Sequence, residues 1–114
     1  MIAASLDELH GDANNINKET ALNEAGAIVN GRGDSPNEHD ILTGSDDDGN
    51  LFGPGATCSD WTSDAGGMAR LGHSDIPSNP QFSPSWNSAH NSQGCSPGQL
   101  ASTGGAGRLY CFAL

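Results

Sequence analysis

The 114-residue chain predicts an α+β domain of short elements joined by long, ordered loops, and three observations carry that expectation. A helix-start signature stands near the N-terminus, three short β-prone runs are spread along the chain, and turn formers fill the intervals, with sixteen Gly and six Pro among them. Apolar residues make up 34%, enough for one small core, so residues 1–114 read as a single domain.

The first element lies in "SLDELHGD", where Ser5 is placed as a helix N-cap, Glu8 follows three residues on in the capping-box pattern, and Gly11 stands just past the end. Only about one or two turns fit there, a length that needs tertiary packing to persist. The run "AIV", Ala27 to Val29, predicts a first strand ended by the turn signal Asn30-Gly31, and "DILT", Asp40 to Thr43, predicts a second. Residues 30–39 between them are expected to form the exposed tip of a hairpin or a comparable surface connection. Residues 44–55 are Asp- and Gly-rich loop, and from Cys58 onward short motifs are separated by Gly and Pro. The last strand is expected at "RLYCF", Arg108 to Phe112, whose alternation suits a centrally paired strand.

The predicted tip carries "GRGDSP", residues 31–36, which resembles the integrin-binding loop of fibronectin. Arg32 and Asp34 offer a guanidinium and a carboxylate across Gly33, whose backbone freedom lets the two reach an acidic pocket and a metal ion on a receptor. Pro36 restricts the loop and lowers the entropy lost on binding. Gly, Asp, Ser and Pro also build ordinary exposed turns, so the same letters fit a plain surface turn.

Four Lys plus Arg against fourteen Asp plus Glu give a net charge of −10, which repels phosphate backbones, heparin-like polymers and anionic lipid surfaces. No apolar run approaches the length of a membrane span, and the Met1 end lacks the basic and apolar regions of a signal peptide. The three cysteines include no C-x-x-C pair, which disfavours a thiolate metal site. They predict at least one disulfide, an oxidising and hence extracellular or cell-surface setting, and one thiol left over.

The motifs "LTGSDDDG", "CSDWTSD", "ARLGHSD", "SWNSAHNSQGCS" and "ASTGGAGRLYCFA" occur in that order between Ile41 and Ala113. Together they resemble the endostatin-like domains of bacterial secreted proteins, whose fold is C-type-lectin-like. The resemblance implies a short antiparallel sheet, one or two short helices and long ordered loops. It pairs Cys58 with Cys95 and leaves Cys111 as a free, buried thiol; an intermolecular disulfide at Cys111 is the alternative. It also implies that the chain lacks the first helix and strand of the complete domain. Leu42 stands where the family carries a tryptophan, which removes aromatic packing from one corner of the core. Trp61 and Trp86 read as core anchors.

Two polar sets are candidate sites. Asp46, Asp48 and Asn50 in "SDDDGN" alternate as calcium-loop ligands do, but the distant Glu and flanking helices of an EF-hand are missing. That leaves a partial Ca²⁺ site, against the commoner reading of an acidic turn. His73 and Asp75, with Asn87 and His90, hold zinc-type donors. The resemblance favours buried side chains that bond loop backbone instead. No G-x-S-x-G elbow, H-E-x-x-H helix or phosphate loop is present, and "GGAG" at Gly104 to Gly107 precedes a strand, so no enzyme and no cofactor other than Ca²⁺ is expected. The expected function is a non-enzymatic binding, adhesion or loop-display module acting on a protein or cell-surface receptor. The alternatives are a structural domain of a larger secreted or surface assembly and a Ca²⁺-dependent carbohydrate-binding module, the latter without the lectin motif "EPN".

Overall fold

The computed structural model describes residues 1–77 and 85–113 and shows a small α+β domain with a four-stranded mixed sheet. In chain order the elements are α1 (Leu6–His10), β1 (Asp40–Leu42), a helical turn α2 (Cys58–Trp61), β2 (Arg70–His73), β3 (His90–Asn91), α3 (Pro97–Thr103) and β4 (Gly105–Leu109).

Helix α1 starts where the sequence places it. Ser5 Oγ accepts from the Glu8 amide at 3.1 Å, the Glu8 carboxylate reaches back to the Ala4 amide at 2.9 Å, and Gly11 ends the helix. No residue of α1 is fully buried, so one turn of helix depends on a tertiary tie: the Trp86 indole donates to the Leu9 carbonyl at 2.9 Å. Helix α3 lies outside the elements expected from sequence, although its local signals are present there. Ser96 and Gln99 form a reciprocal capping box, Pro97 opens the helix, and Gly104 closes it at φ +105°, a conformation suited to glycine.

The strands are ordered β3-β2-β1-β4, with β1 and β3 antiparallel to β2 and with β4 parallel to β1. The sheet is therefore mixed, not antiparallel as expected. Helix α3 returns the chain so that β4 enters alongside β1 in the same direction, the geometry a helical crossover permits. The last strand also differs from expectation: it spans Gly105–Leu109, ends before Tyr110, and lies at the sheet edge. Cys111 consequently falls beyond the strand and is an exposed free thiol, not a buried one. At the other end, Ala27 to Val29 makes no sheet strand. Asn23 closes a tight turn by accepting from the Ala25 and Ala27 amides, and only an isolated bridge joins Leu22 to Ile28.

The apolar core gathers Ala69, Leu71 and the Cys58–Cys95 disulfide, with Leu42 packed against them. The disulfide is the pair the resemblance implies. Gly72 lets β2 pass close to the segment carrying Trp86, because a Cβ there would lie 1.6 Å from the Trp86 carbonyl oxygen. Turn α2 is left-handed: Cys58, Ser59, Asp60 and Trp61 have φ between 48° and 62°. Side chains in that region cost about 1–2 kcal/mol per residue, so the turn must be imposed from outside. Thr57 Oγ1 holds the Asp60 amide, and Cys58 at its first position is anchored in the core by its disulfide. This turn carries Trp61 outward. Trp61 is 48% exposed and is not a core anchor, whereas Trp86 is 9% exposed and packs edge-on against Tyr110 and Phe112. Burial pushes the Tyr110 phenol pKa strongly upward.

Candidate functional site

The register of the sheet assembles a polar cluster that no segment of sequence contains. Asp40 of β1 faces His73 of β2, and His90 of β3 faces Leu71. Since residues two apart on a strand share a face, Asp40, His73 and His90 project to one side of the sheet together with Leu42 and Leu71. That face is apolar toward the disulfide and polar toward the start of β1. Asp40 Oδ1 lies 3.1 Å from His73 Nε2, 3.3 Å from His90 Nε2 and 3.4 Å from His39 Nε2. The Nε2 atoms of His73 and His90 are 3.0 Å apart. The Asp40 side chain is fully buried, and among the described residues neither of its oxygens has a hydrogen-bond partner of acceptable geometry. Among the described residues, two overlapping groups bring ligand atoms close enough for one metal ion: Asp40, His73 and His90, and His39, His73 and Asp75.

Beside this cluster stands the loop 30–39. Its ends are joined by the Glu38 amide donating to the Asn30 carbonyl, and the Asn30 side-chain amide donates to the Pro36 carbonyl across the loop. Asp75 is the foundation. One of its oxygens accepts from the Arg32 amide at 2.5 Å, and the other meets His39 Nδ1 at 2.6 Å. Gly31 makes the approach feasible, because a Cβ there would come within 2.6 Å of Asp75 Oδ2. Burial works to raise the Asp75 pKa, but the hydrogen bonds from His39 and the Arg32 amide outweigh it and carry the carboxyl below its ordinary value.

Arg32 and Gly33 are exposed at the tip, and Gly33 adopts φ +90° with open space where a side chain would stand. Asp34 turns back on the loop. Its carboxylate accepts from the Lys18 ammonium at 2.5 Å and from the Gly31 amide at 2.8 Å. The Lys18 hydrogen bond first, and the Gly31 amide second, hold its pKa below 3.8. A further ion pair, Arg108 to Glu38 at 2.9 Å, ties β4 to the end of the loop.

The acidic turn is satisfied by its own backbone. Asp46 Oδ1 accepts from the Asp48 amide at 3.1 Å and the Asn50 amide at 2.8 Å, and the Asn50 side chain donates toward Asp46 Oδ2. Asn87, 1% exposed, pins this turn from behind by donating to the Asp46 carbonyl at 2.8 Å and to Ser45 Oγ at 3.0 Å. Its oxygen accepts from Ser85 Oγ at 2.6 Å.

The four residues singled out together in sequence therefore separate by task. Asn87 and Asp75 bond loop backbone, the role the resemblance favours for them, while His73 and His90 meet at Asp40. Among the described residues, Asp46 and Asp48 join neither group of close ligand atoms. Sequence reasoning passed over His39 and Asp40. The available signal was a carboxylate at Asp40, two residues before Leu42 and so on the inward face of a predicted strand. No family model, curated protein or solved structure matches the chain.

Proposed function

We propose that the domain is a non-enzymatic binding and display module of the extracellular or cell-surface environment, with Arg32, Gly33 and Asp34 as its ligand site and a protein receptor as its partner. One observation carries this reading: an exposed Arg32-Gly33 tip stands on a loop that is closed on itself by the Glu38 amide and the Asn30 carbonyl and tied to Asp75, outside the loop, by the Arg32 amide and the His39 ring. A loop ordered before binding loses less entropy on capture. The disulfide fits an oxidising setting, and no helix among the described residues is long and apolar enough to cross a membrane.

The finer fold reading, a C-type-lectin-like domain of endostatin type, is proposed with it. Motif order from Ile41 to Ala113 and the Cys58–Cys95 pairing support it; the edge position and parallel pairing of β4 stand against it. A structural role in a larger assembly is the second reading. It is favoured by the outer side of β4, unpaired among the described residues, and by the exposure of Leu109, 67%, and Trp61, 48%.

Adhesion of integrin-bearing cells to immobilised protein tests the ligand reading. Lys18 and the Gly31 amide both take Asp34 Oδ2, and the ammonium competes with a receptor metal ion for the carboxylate, so Lys18→Ala is expected to increase adhesion and Asp34→Glu to abolish it. Equal adhesion by all three proteins removes the RGD mechanism and leaves the assembly reading.

A further inference from the structure

We infer that Asp40, His73 and His90 form a binding site for a divalent transition metal ion of the zinc class, with one further coordination position open toward solvent. The first ground is the spacing of the three donor atoms. Zinc bonds of about 2.0–2.1 Å in a tetrahedron set neighbouring ligand atoms roughly 3.3 Å apart. Here the three edges are 3.0 Å between the two Nε2 atoms and 3.1 and 3.3 Å from them to Asp40 Oδ1. The second ground is ring orientation. The imidazole planes of His73 and His90 cross at 72°, so lone pairs lying in those planes can meet at one point. His39 differs. Its ring stacks on His73 at 4.0 Å and 18°, so the in-plane lone pairs of the two rings lie in nearly parallel, offset planes, poorly placed to meet at one point. His39 is therefore a brace, held by Asp75 at Nδ1.

The outer contact of His90 is compatible with this role: its Nδ1 lies 3.1 Å from the Asn91 carbonyl, which can only accept, and the neutral tautomer that donates there has its lone pair at Nε2. A proton shared between His73 and His90 would join the two rings and, among the described residues, still leave the buried Asp40 carboxylate without a donor of acceptable hydrogen-bond geometry. A carboxylate taken from water with no partner costs several kcal/mol, and a cation at the centre of the three ligands removes that cost. Two imidazoles and one carboxylate suit zinc, cobalt and ferrous iron better than calcium or magnesium, which take oxygen ligands. Among the described residues His73 Nδ1 has no partner, so within them this ligand lacks the outer hydrogen bond that strengthens most metal-bound histidines. The side chain of His90 is 38% exposed while those of Asp40 and His73 are buried, so the open position lies on the His90 side.

The test is titration of the disulfide-intact, chelator-stripped protein with Co²⁺ and Zn²⁺. One equivalent of Co²⁺ is expected to give the strong visible absorption of a four-coordinate site, and Zn²⁺ to displace it and raise the melting temperature. His90→Ala, at a partly exposed position, is expected to keep the melting temperature of the stripped parent. It should lose the cobalt band and weaken Zn²⁺ at least about tenfold, the lower range seen even for loss of outer-shell partners. Nitrogen NMR of the four histidines supplies a readout that needs no variant: Nε2 of His73 and His90 should move on Zn²⁺ addition while His10 stays in place. Absence of stoichiometric binding, binding that survives His90→Ala, or zinc-induced shifts confined to His10 or His39 would overturn the assignment.

Discussion

His39 Nδ1 and Asp75 Oδ1 meet at 2.6 Å, and the other oxygen of the same carboxylate takes the Arg32 amide, so a single buried side chain from beyond β2 ties the loop 30–39 down at His39, its last residue, and at Arg32 beside its tip. Asp75→Ala leaves a buried ring nitrogen and a backbone amide without an acceptor. The expected loss is about 1–3 kcal/mol of unfolding free energy in denaturant titration, with faster hydrogen exchange at the Arg32 amide. Unchanged exchange at Arg32 would show that the clamp does not hold the loop.

Asp34 sets a pH dependence with a definite sign. Its folded pKa lies below 3.8 because Lys18 and the Gly31 amide favour the carboxylate, so its contribution is complete above the unfolded value and fades as pH falls through the folded one. A carboxyl NMR titration is expected to place the Asp34 midpoint below 3.8 in the parent and to move it upward in Lys18→Ala. Identical midpoints in the two proteins would exclude the Lys18 contact in solution.

Cys58 and Cys95 close a loop with a sequence separation of 37. Replacing both by Ser is expected to cost about 3–4 kcal/mol, the chain-entropy value for such a loop. In mass spectrometry under nonreducing conditions, Cys111 should be alkylated in the native protein while Cys58 and Cys95 remain joined. A Cys111 that reacts only after unfolding would contradict its exposed position.

The left-handed turn offers a stabilising substitution. Ser59, exposed at φ 57° and ψ 55°, sits where glycine carries no steric penalty. Ser59→Gly is expected to raise unfolding free energy by up to about 1 kcal/mol, less the extra entropy glycine gives the unfolded chain. A lower midpoint in the denaturant curve would mean that the turn is not left-handed in solution.

The acidic turn is expected to stand without metal. Because the amides of Asp48 and Asn50 already occupy Asp46 Oδ1, millimolar Ca²⁺ should leave the melting temperature unchanged, whereas Asn87→Ala should lower stability by about 1–3 kcal/mol. A calcium-dependent rise in melting temperature that vanishes in Asp46→Asn would restore the metal reading of this turn.

The elements legible in sequence are those decided by neighbours along the chain. Ser5, Glu8 and Gly11 bound α1 through local hydrogen bonds, and "DIL" forms a strand flanked by loop on both sides. Ser96-Pro97 with Gln99 and Gly104 was equally local, and α3 follows it. The cysteine pairing came through likeness of motif order, and spacing alone left it open. What remained hidden was every feature set by register or by crossover. Arg108 to Phe112 alternates as a central strand would, yet α3 delivers β4 to the edge and stops pairing at Leu109, leaving Cys111 in solvent. Trp61 is apolar and therefore reads as buried, but four residues forced into a left-handed turn point it outward. His73 and His90 were visible as metal-type donors; their shared partner Asp40 was not, because it lies 33 residues before His73 and 50 before His90 in the numbering. Their meeting follows from the pairing of Asp40 with His73 and of His90 with Leu71, and a shift of one residue in either ladder would send the donors to opposite faces of the sheet.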